Sequence, residues 1–166
     1  DFLAEPDESG WRFKRFNLTR ADMKLNAGGH WGYDGKQHAS EFDIEFSSPD
    51  MGKTMEAFGV PDQLAGGEVS VNSHLSWPGA PADPQLAALS GKINVSAKKG
   101  RFLQVKAGAG RLFGLLDLRA IGRYLLLDFS PVFGKGLLYD RIQGEITIVT
   151  GNAYAHGFTI RGPATD

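Results

Sequence analysis

Cysteine is absent from the 166-residue chain. That excludes disulfides, thiolate nucleophiles and thiolate metal sites, and it suits an oxidising and a reducing compartment alike. No apolar run approaches the ~20 residues of a membrane-spanning helix. The opening Asp1-Phe2-Leu3-Ala4-Glu5-Pro6 lacks the charged-then-apolar order of a signal peptide. An excess of one charge is lacking too: 18 basic residues against 19 acidic ones leave a net charge of -1. There is then no broad electrostatic footprint for nucleic acid or for an anionic membrane surface. The clusters Arg12/Lys14/Arg15 and Lys98/Lys99/Arg101 read as solvated strand edges and turns. What remains, 42% hydrophobic and 22% charged, is the composition of one globular domain with a real core.

Catalytic and metal-binding patterns are scarce as well. Histidines 30, 38, 74 and 156 form no H-x-H or H-E-x-x-H pair. His30, His74 and His156 sit in strand-like segments and read as sheet-face residues, and His38 as solvated in a polar turn. No metal ligand set and no catalytic residue is expected. Glu41, Asp43 and Glu45 share one strand face, the ordinary solvent side of an amphipathic strand rather than a glycosidase pair. No G-x-S-x-G elbow occurs. Asn17-Leu18-Thr19 and Asn94-Val95-Ser96 match the glycosylation pattern, which has meaning only in a eukaryotic secretory route. The sharpest competing signal is the glycine turn Gly108, Gly110 and Gly114, with Asp128 about 20 residues on, which approaches a dinucleotide fingerprint. A Rossmann half needs further βα units, and both flanks here keep period two, so the turn reads as a tight strand-to-helix link and no cofactor is expected.

The most informative positive feature is a pattern that occurs three times: Gly67-Glu68-Val69-Ser70-Val71, Gly91-Lys92-Ile93-Asn94-Val95 and Gly144-Glu145-Ile146-Thr147-Ile148. Side chains alternate faces along a strand, so each copy puts Val or Ile on one side and polar residues on the other. Earlier in the chain, Trp11-Arg12-Phe13-Lys14 alternates, and Phe16 and Leu18 shift the phase by one, as at a β-bulge. Met23 and Leu25 alternate next, Ala27-Gly28-Gly29 reads as a turn, and Trp31 and Tyr33 stay in phase. Phe42, Ile44 and Phe46 follow. Val69, Val71, Leu75 and Trp77 share one face of a long strand, and the loop from Pro78 to Pro84 is a crossing connection. Ile93, Val95 and Ala97 lead through Lys98-Lys99-Gly100, predicted to turn a hairpin. Strands are also predicted over 124–129, 139–149 and 153–161.

Two helices interrupt the meander. Ser47-Ser48-Pro49-Asp50 is a helix start, Met51, Met55 and Phe58 lie on one face, and Gly59 stops it. Residues 111–121, with Leu112, Leu115, Leu116 and Ile121, read as a helix apolar almost all round, which must be buried or must plug something. Residues 1–10 are expected to be a disordered start and 11–163 a single domain. The ending Gly162-Pro163-Ala164-Thr165-Asp166 stops just after a strand, so a piece of a longer chain is expected.

At this point the chain resembles a known family. Gly108-Ala109-Gly110-Arg111-Leu112-Phe113-Gly114-Leu115-Leu116-Asp117-Leu118, Leu127-Asp128-Phe129, Val132-Phe133, Gly136, Asp140-Arg141-Ile142, Gly144 and Gly162-Pro163 closely resemble the C-terminal part of YhdP-type proteins of the AsmA-like superfamily. Ser76-Trp77-Pro78-Gly79 and Leu86-Ala87-Ala88-Leu89-Ser90-Gly91 fit the same family. The match covers roughly 65–163. Ile121-Gly122 and Leu138-Tyr139 depart from the family's usual Leu-Pro and Phe-Asp. The resemblance implies a large Gram-negative envelope protein, anchored in the inner membrane by a helix this chain does not contain, with a β-rich periplasmic body that moves phospholipid between inner and outer membranes. It also implies the fold class: mainly β, a curled antiparallel meander, taco-like, with an open amphipathic groove and two short α-helices.

The groove candidates that follow are Val69, Val71, Leu75, Trp77, Ile93, Val95, Ile146, Ile148, Phe158 and Ile160, with Leu112, Leu115, Leu116 and Ile121 as a helical plug or gate. On alternation alone the same residues would form a closed core; with the resemblance they line a passive lipid groove. The expected partner is the acyl part of phospholipid, together with inner- and outer-membrane proteins, and no nucleic acid. The alternative is a structural or assembly domain that binds partners through its sheet edges. A nucleotide-binding enzyme built on residues 108–114 comes third.

Overall fold

The computed structural model describes residues 1–20, 22–33, 35–103, 136 and 138–163. The strands are β1 (Phe2–Asp7), β2 (Gly10–Arg20), β3 (Met23–Tyr33), β4 (His38–Ser48), β5 (Leu64–Pro78), β6 (Ser90–Phe102), β7 (Leu138–Val149) and β8 (Asn152–Arg161). They form one sheet in which each strand pairs antiparallel with the next, in chain order. β1 and β8 end that order, so the sheet is open and not closed into a barrel. Seven spacings of ~4.8 Å make it about 34 Å across the strands.

Helix α1 (Met51–Ala57) joins β4 to β5, and a short 3₁₀ turn (Leu86–Ala88) lies between β5 and β6. Asp50 caps α1 by accepting from the Lys53 N–H, and Gly59 leaves it with a left-handed φ of 79°. α1 is held onto the sheet by a buried hydroxyl pair, Ser48 Oγ to Thr54 Oγ1 at 2.8 Å. The segment expected to form a second helix, residues 111–121, lies outside the described residues, as does the strand expected over 124–129.

Three local expectations are corrected. Residues 1–10 are not a disordered start: Phe2–Asp7 pairs along β2, from Phe2 opposite Phe16 to Asp7 opposite Gly10. Ala27-Gly28-Gly29 does not turn but runs inside β3, paired on both sides, because the missing side chain at Gly29 is filled by the Phe42 ring of the neighbouring strand. Lys98-Lys99-Gly100 likewise does not turn a hairpin. Lys99 takes a left-handed φ of 52°, yet the ladder continues past it to Arg101 opposite both Ala65 and Leu138.

The predicted phase shift in β2 is present. Phe13 opposes Gly29 and Phe16 opposes Ala27, so β2 carries one more residue than β3 across that interval. The bulge brings Phe13 and Phe16, three positions apart, onto one face.

Candidate functional site

Residues directly opposite one another in a ladder share a face, so the register can be read across the sheet as rows. The first runs Trp11, Trp31, Ser40, Trp77 and contains all three tryptophans of the chain. The second runs Phe13, Gly29, Phe42, Leu75, Gly91, Ile148, Ala153. The third runs Phe2, Phe16, Ala27, Ile44, Ser73, Ile93, Ile146, Ala155. The fourth runs Leu18, Leu25, Phe46, Val71, Val95, Gly144. The fifth runs Ser48, Val69, Ala97, Ile142, Ile160, with Arg20 opposite Met23 continuing it on β2 and β3. One face is thus apolar from β1 to β8.

All ten groove candidates fall on that face. Nine sit in the rows. Phe158 joins them because β8 bulges between the partners of Gln143 and Glu145, which lays its ring over Gly144. Leu112, Leu115, Leu116 and Ile121, and the glycine turn at 108–114, lie outside the described residues. The ten are only half of the face. In the β1–β4 half, Trp11, Phe13, Phe16, Leu18 and Phe42 were legible in the same alternation but belong to no repeated motif, and Phe2 was not legible at all.

The serines that interrupt the oily face have their hydroxyls engaged. Ser40 donates to the Gly79 carbonyl at 2.8 Å, Ser73 to the Ile44 carbonyl at 3.3 Å, and Ser48 bonds to Thr54. Those hydroxyls are satisfied within the fold, whereas the buried indole N–H of Trp31, on the same face, has no partner among the described residues.

Burial divides the face. Over β4 to β7, Phe42, Trp77, Leu89 and Ile148 form a buried cluster with Leu75, Ile93 and Ile146 packed against it. Leu86, which opens the 3₁₀ turn, and Leu89, which follows it, come over the strand ends there, and the Gly151 N–H donates to the Leu89 carbonyl at 2.8 Å. α1 covers the opposite strand ends. Towards β1 the same face opens: Phe2 is 60% exposed, Trp11 45%, Leu18 43% and Phe16 40%, against 8% for Trp77 and 3% for Ile148.

The opposite face is polar and laced with ion pairs. Lys98 meets Glu68 at 3.4 Å and Lys92 meets Glu145 at 3.7 Å. His74 bridges two carboxylates, Nε2 to Glu41 at 3.0 Å and Nδ1 to Asp43 at 2.8 Å. The hydrogen bond with Asp43 leads the effects that raise its pKa above the ordinary 6.5. Asp7 is held at about 2, first by the Ser9 backbone N–H and then by His30. His38, expected in a turn, opens β4 and packs its ring 5.4 Å from Trp31 and 4.9 Å from Tyr33.

The arrangement does not assemble a nucleophile. Ser9 Oγ and Asp7 Oδ1 both approach the same nitrogen of His30, Nε2, each at 3.2 Å. A Ser-His-Asp relay needs the acid and the nucleophile on opposite ring nitrogens. Among the described residues no group of His, Asp and Glu is placed to hold a metal ion, and no helix is long and apolar enough to cross a membrane. What the site can do chemically is shield apolar material from water.

Comparison with known proteins points the same way. A family model described as YhdP protein matches residues 1–166. The intermembrane phospholipid transporter YhdP of Escherichia coli (strain K12) is 28% identical over 144 residues, covering 86% of this chain and 11% of that protein. This chain therefore spans about a ninth of that relative's length. No solved structure matches.

Proposed function

The chain belongs to the YhdP family, and on that premise we propose that it is a segment of a phospholipid-transport groove. Its oily face shields acyl chains during transfer between the inner and outer membranes of a Gram-negative envelope. The observation that carries this reading is the apolar face continued through all eight strands, packed over β4 to β7 and exposed over β1 and β2. Each methylene kept from water is worth ~0.8 kcal/mol, so a 16-carbon chain crossing an aqueous gap bare faces a penalty on the order of 10 kcal/mol. A trough of this kind removes most of that penalty without a reaction, and the segment acts passively rather than as an enzyme.

The segment works in the periplasm as part of a longer, inner-membrane-anchored protein. About 34 Å of stacked strands is a fraction of the distance between two membranes, and the relative is about nine times longer than the matched region. In the longer chain, further strands continue the trough. We propose residues 111–121, with Leu112, Leu115, Leu116 and Ile121, as its plug or gate.

Native mass spectrometry of the purified chain tests the reading. Phospholipid should co-purify and be released on activation, whereas a lipid-free protein that takes up none from vesicles contradicts it. A second reading, a structural role in which partner proteins add strands, is favoured by one observation: β1 and β8 each pair on one side only among the described residues.

A further inference from the structure

Within the five rows that cross the oily face, Arg20 is the only residue with a formal charge. It ends β2 opposite Met23, beside the strand ends that α1 covers. Its guanidinium carbon lies 5.2 Å over the Phe58 ring, and Nη2 reaches the Ala57 carbonyl at 3.5 Å, a long contact. It forms no ion pair with a carboxylate among the described residues, although Arg12 and Arg15 on the same strand each have one. On the other side of the sheet Lys14, Lys92 and Lys98 meet carboxylates across strands, while Lys24, Arg141 and Arg161 also have no ion pair among the described residues; what sets Arg20 apart is its place on the oily face.

The surroundings give the unmatched charge a direction. From Arg20, the exposed apolar side chains Leu18, Phe16 and Trp11 run away along β2, with Phe2 beside Phe16 on β1. A cation at the strand-end rim followed by an oily exposed track is the complement of an amphiphile with one anionic end. A guanidinium presents paired donors to a phosphate and is already oriented here by its ring and carbonyl contacts. We propose that Arg20 anchors the phosphate of a phospholipid whose acyl chains lie over Leu18, Phe16 and Trp11, so that lipid enters or pauses on the β1–β2 side of the trough. This rests on the groove reading above and adds to it the place and chemistry of head-group recognition.

The competing role is purely structural: a cation near the carbonyl end of α1 stabilises a helix terminus. The test therefore uses the full-length protein with Arg20→Gln and Arg20→Lys. Each is measured for melting temperature and for uptake of phosphatidylglycerol and of diacylglycerol with the same chains, from vesicles. The wild type should take up phosphatidylglycerol in preference, Arg20→Gln should lose that preference by about five-fold with diacylglycerol uptake unchanged, and Arg20→Lys should keep most of it. An unchanged preference in Arg20→Gln overturns the anchor, as does an equal fall for both lipids together with a lower melting temperature. Inorganic phosphate separates the two sources of the anion. Binding to the lipid-free protein as tight as that of phosphatidylglycerol overturns an amphiphile site. A wild type that takes up neither lipid overturns the groove reading itself, a result distinct from all of these.

Discussion

The ring of Phe42 lies directly over Gly29, its cross-strand partner in β3, so closely that a β-carbon at Gly29 would come within 2.7 Å of it. The same ring stacks on Trp77 at 5.6 Å and tilts against Phe13 at 5.3 Å. One glycine thus lets three aromatic rings from β2, β4 and β5 settle on the face they share.

Gly29→Ala should destabilise the protein by about 2 kcal/mol, because the added methyl meets both the ring and the Glu41 backbone carbonyl. Urea unfolding of the two proteins checks this. Equal midpoints would mean that the ring is free to move aside.

The two halves of the oily face should respond differently to a polar substitution. Ile148→Ser, in the packed half, is expected to cost about 3 kcal/mol, whereas Phe16→Ser, in the exposed half, should cost under about 1 kcal/mol and leave the melting temperature nearly unchanged. Comparable losses at both positions would show that the β1–β2 side is as closely packed as the rest.

His74 should titrate above 6.5, since its charged form alone can donate to Asp43 and Glu41 at once. A group with a raised folded-state pKa adds stability that is fully present below its unfolded value, near 6.5, and lost as pH rises through the folded value. The side chain is 53% exposed, so the contribution is small and weakens with salt. Following the His74 ring protons by NMR, Asp43→Asn should lower the pKa; an unchanged value would assign the shift elsewhere.

The strands and their inward residues were legible because period two is a local property. The threefold glycine motif marks Val69, Val71, Ile93, Val95, Ile146 and Ile148, and the register sets them side by side. The bulge at Phe13 and Phe16 was legible for the same reason: a slip in phase is written into adjacent residues.

What could not be read depends on neighbours far along the chain. Gly28-Gly29 resembles a turn until Phe42, from the next strand, fills the space above it. Lys99-Gly100 resembles one until the partners on both sides hold the strand through it. The short strand Phe2–Asp7 has little apolar alternation of its own and is ordered by β2, with Lys14 meeting Glu5 at 2.7 Å and Arg15 meeting Asp1 at 3.1 Å. Nor does any local pattern single out Arg20, whose significance lies in being charged on a face that only the register defines.

The most direct test of the groove is a photo-crosslinking residue placed in turn at Leu18, Val71 and Val95 on the oily face, and at Asn17, Ser70 and Asn94 on the other, in the full-length protein in cells. The account predicts phospholipid adducts from the first set, strongest at Leu18, the most exposed of the three, and none above background from the second. Equal capture from both sets, or from neither, would contradict it.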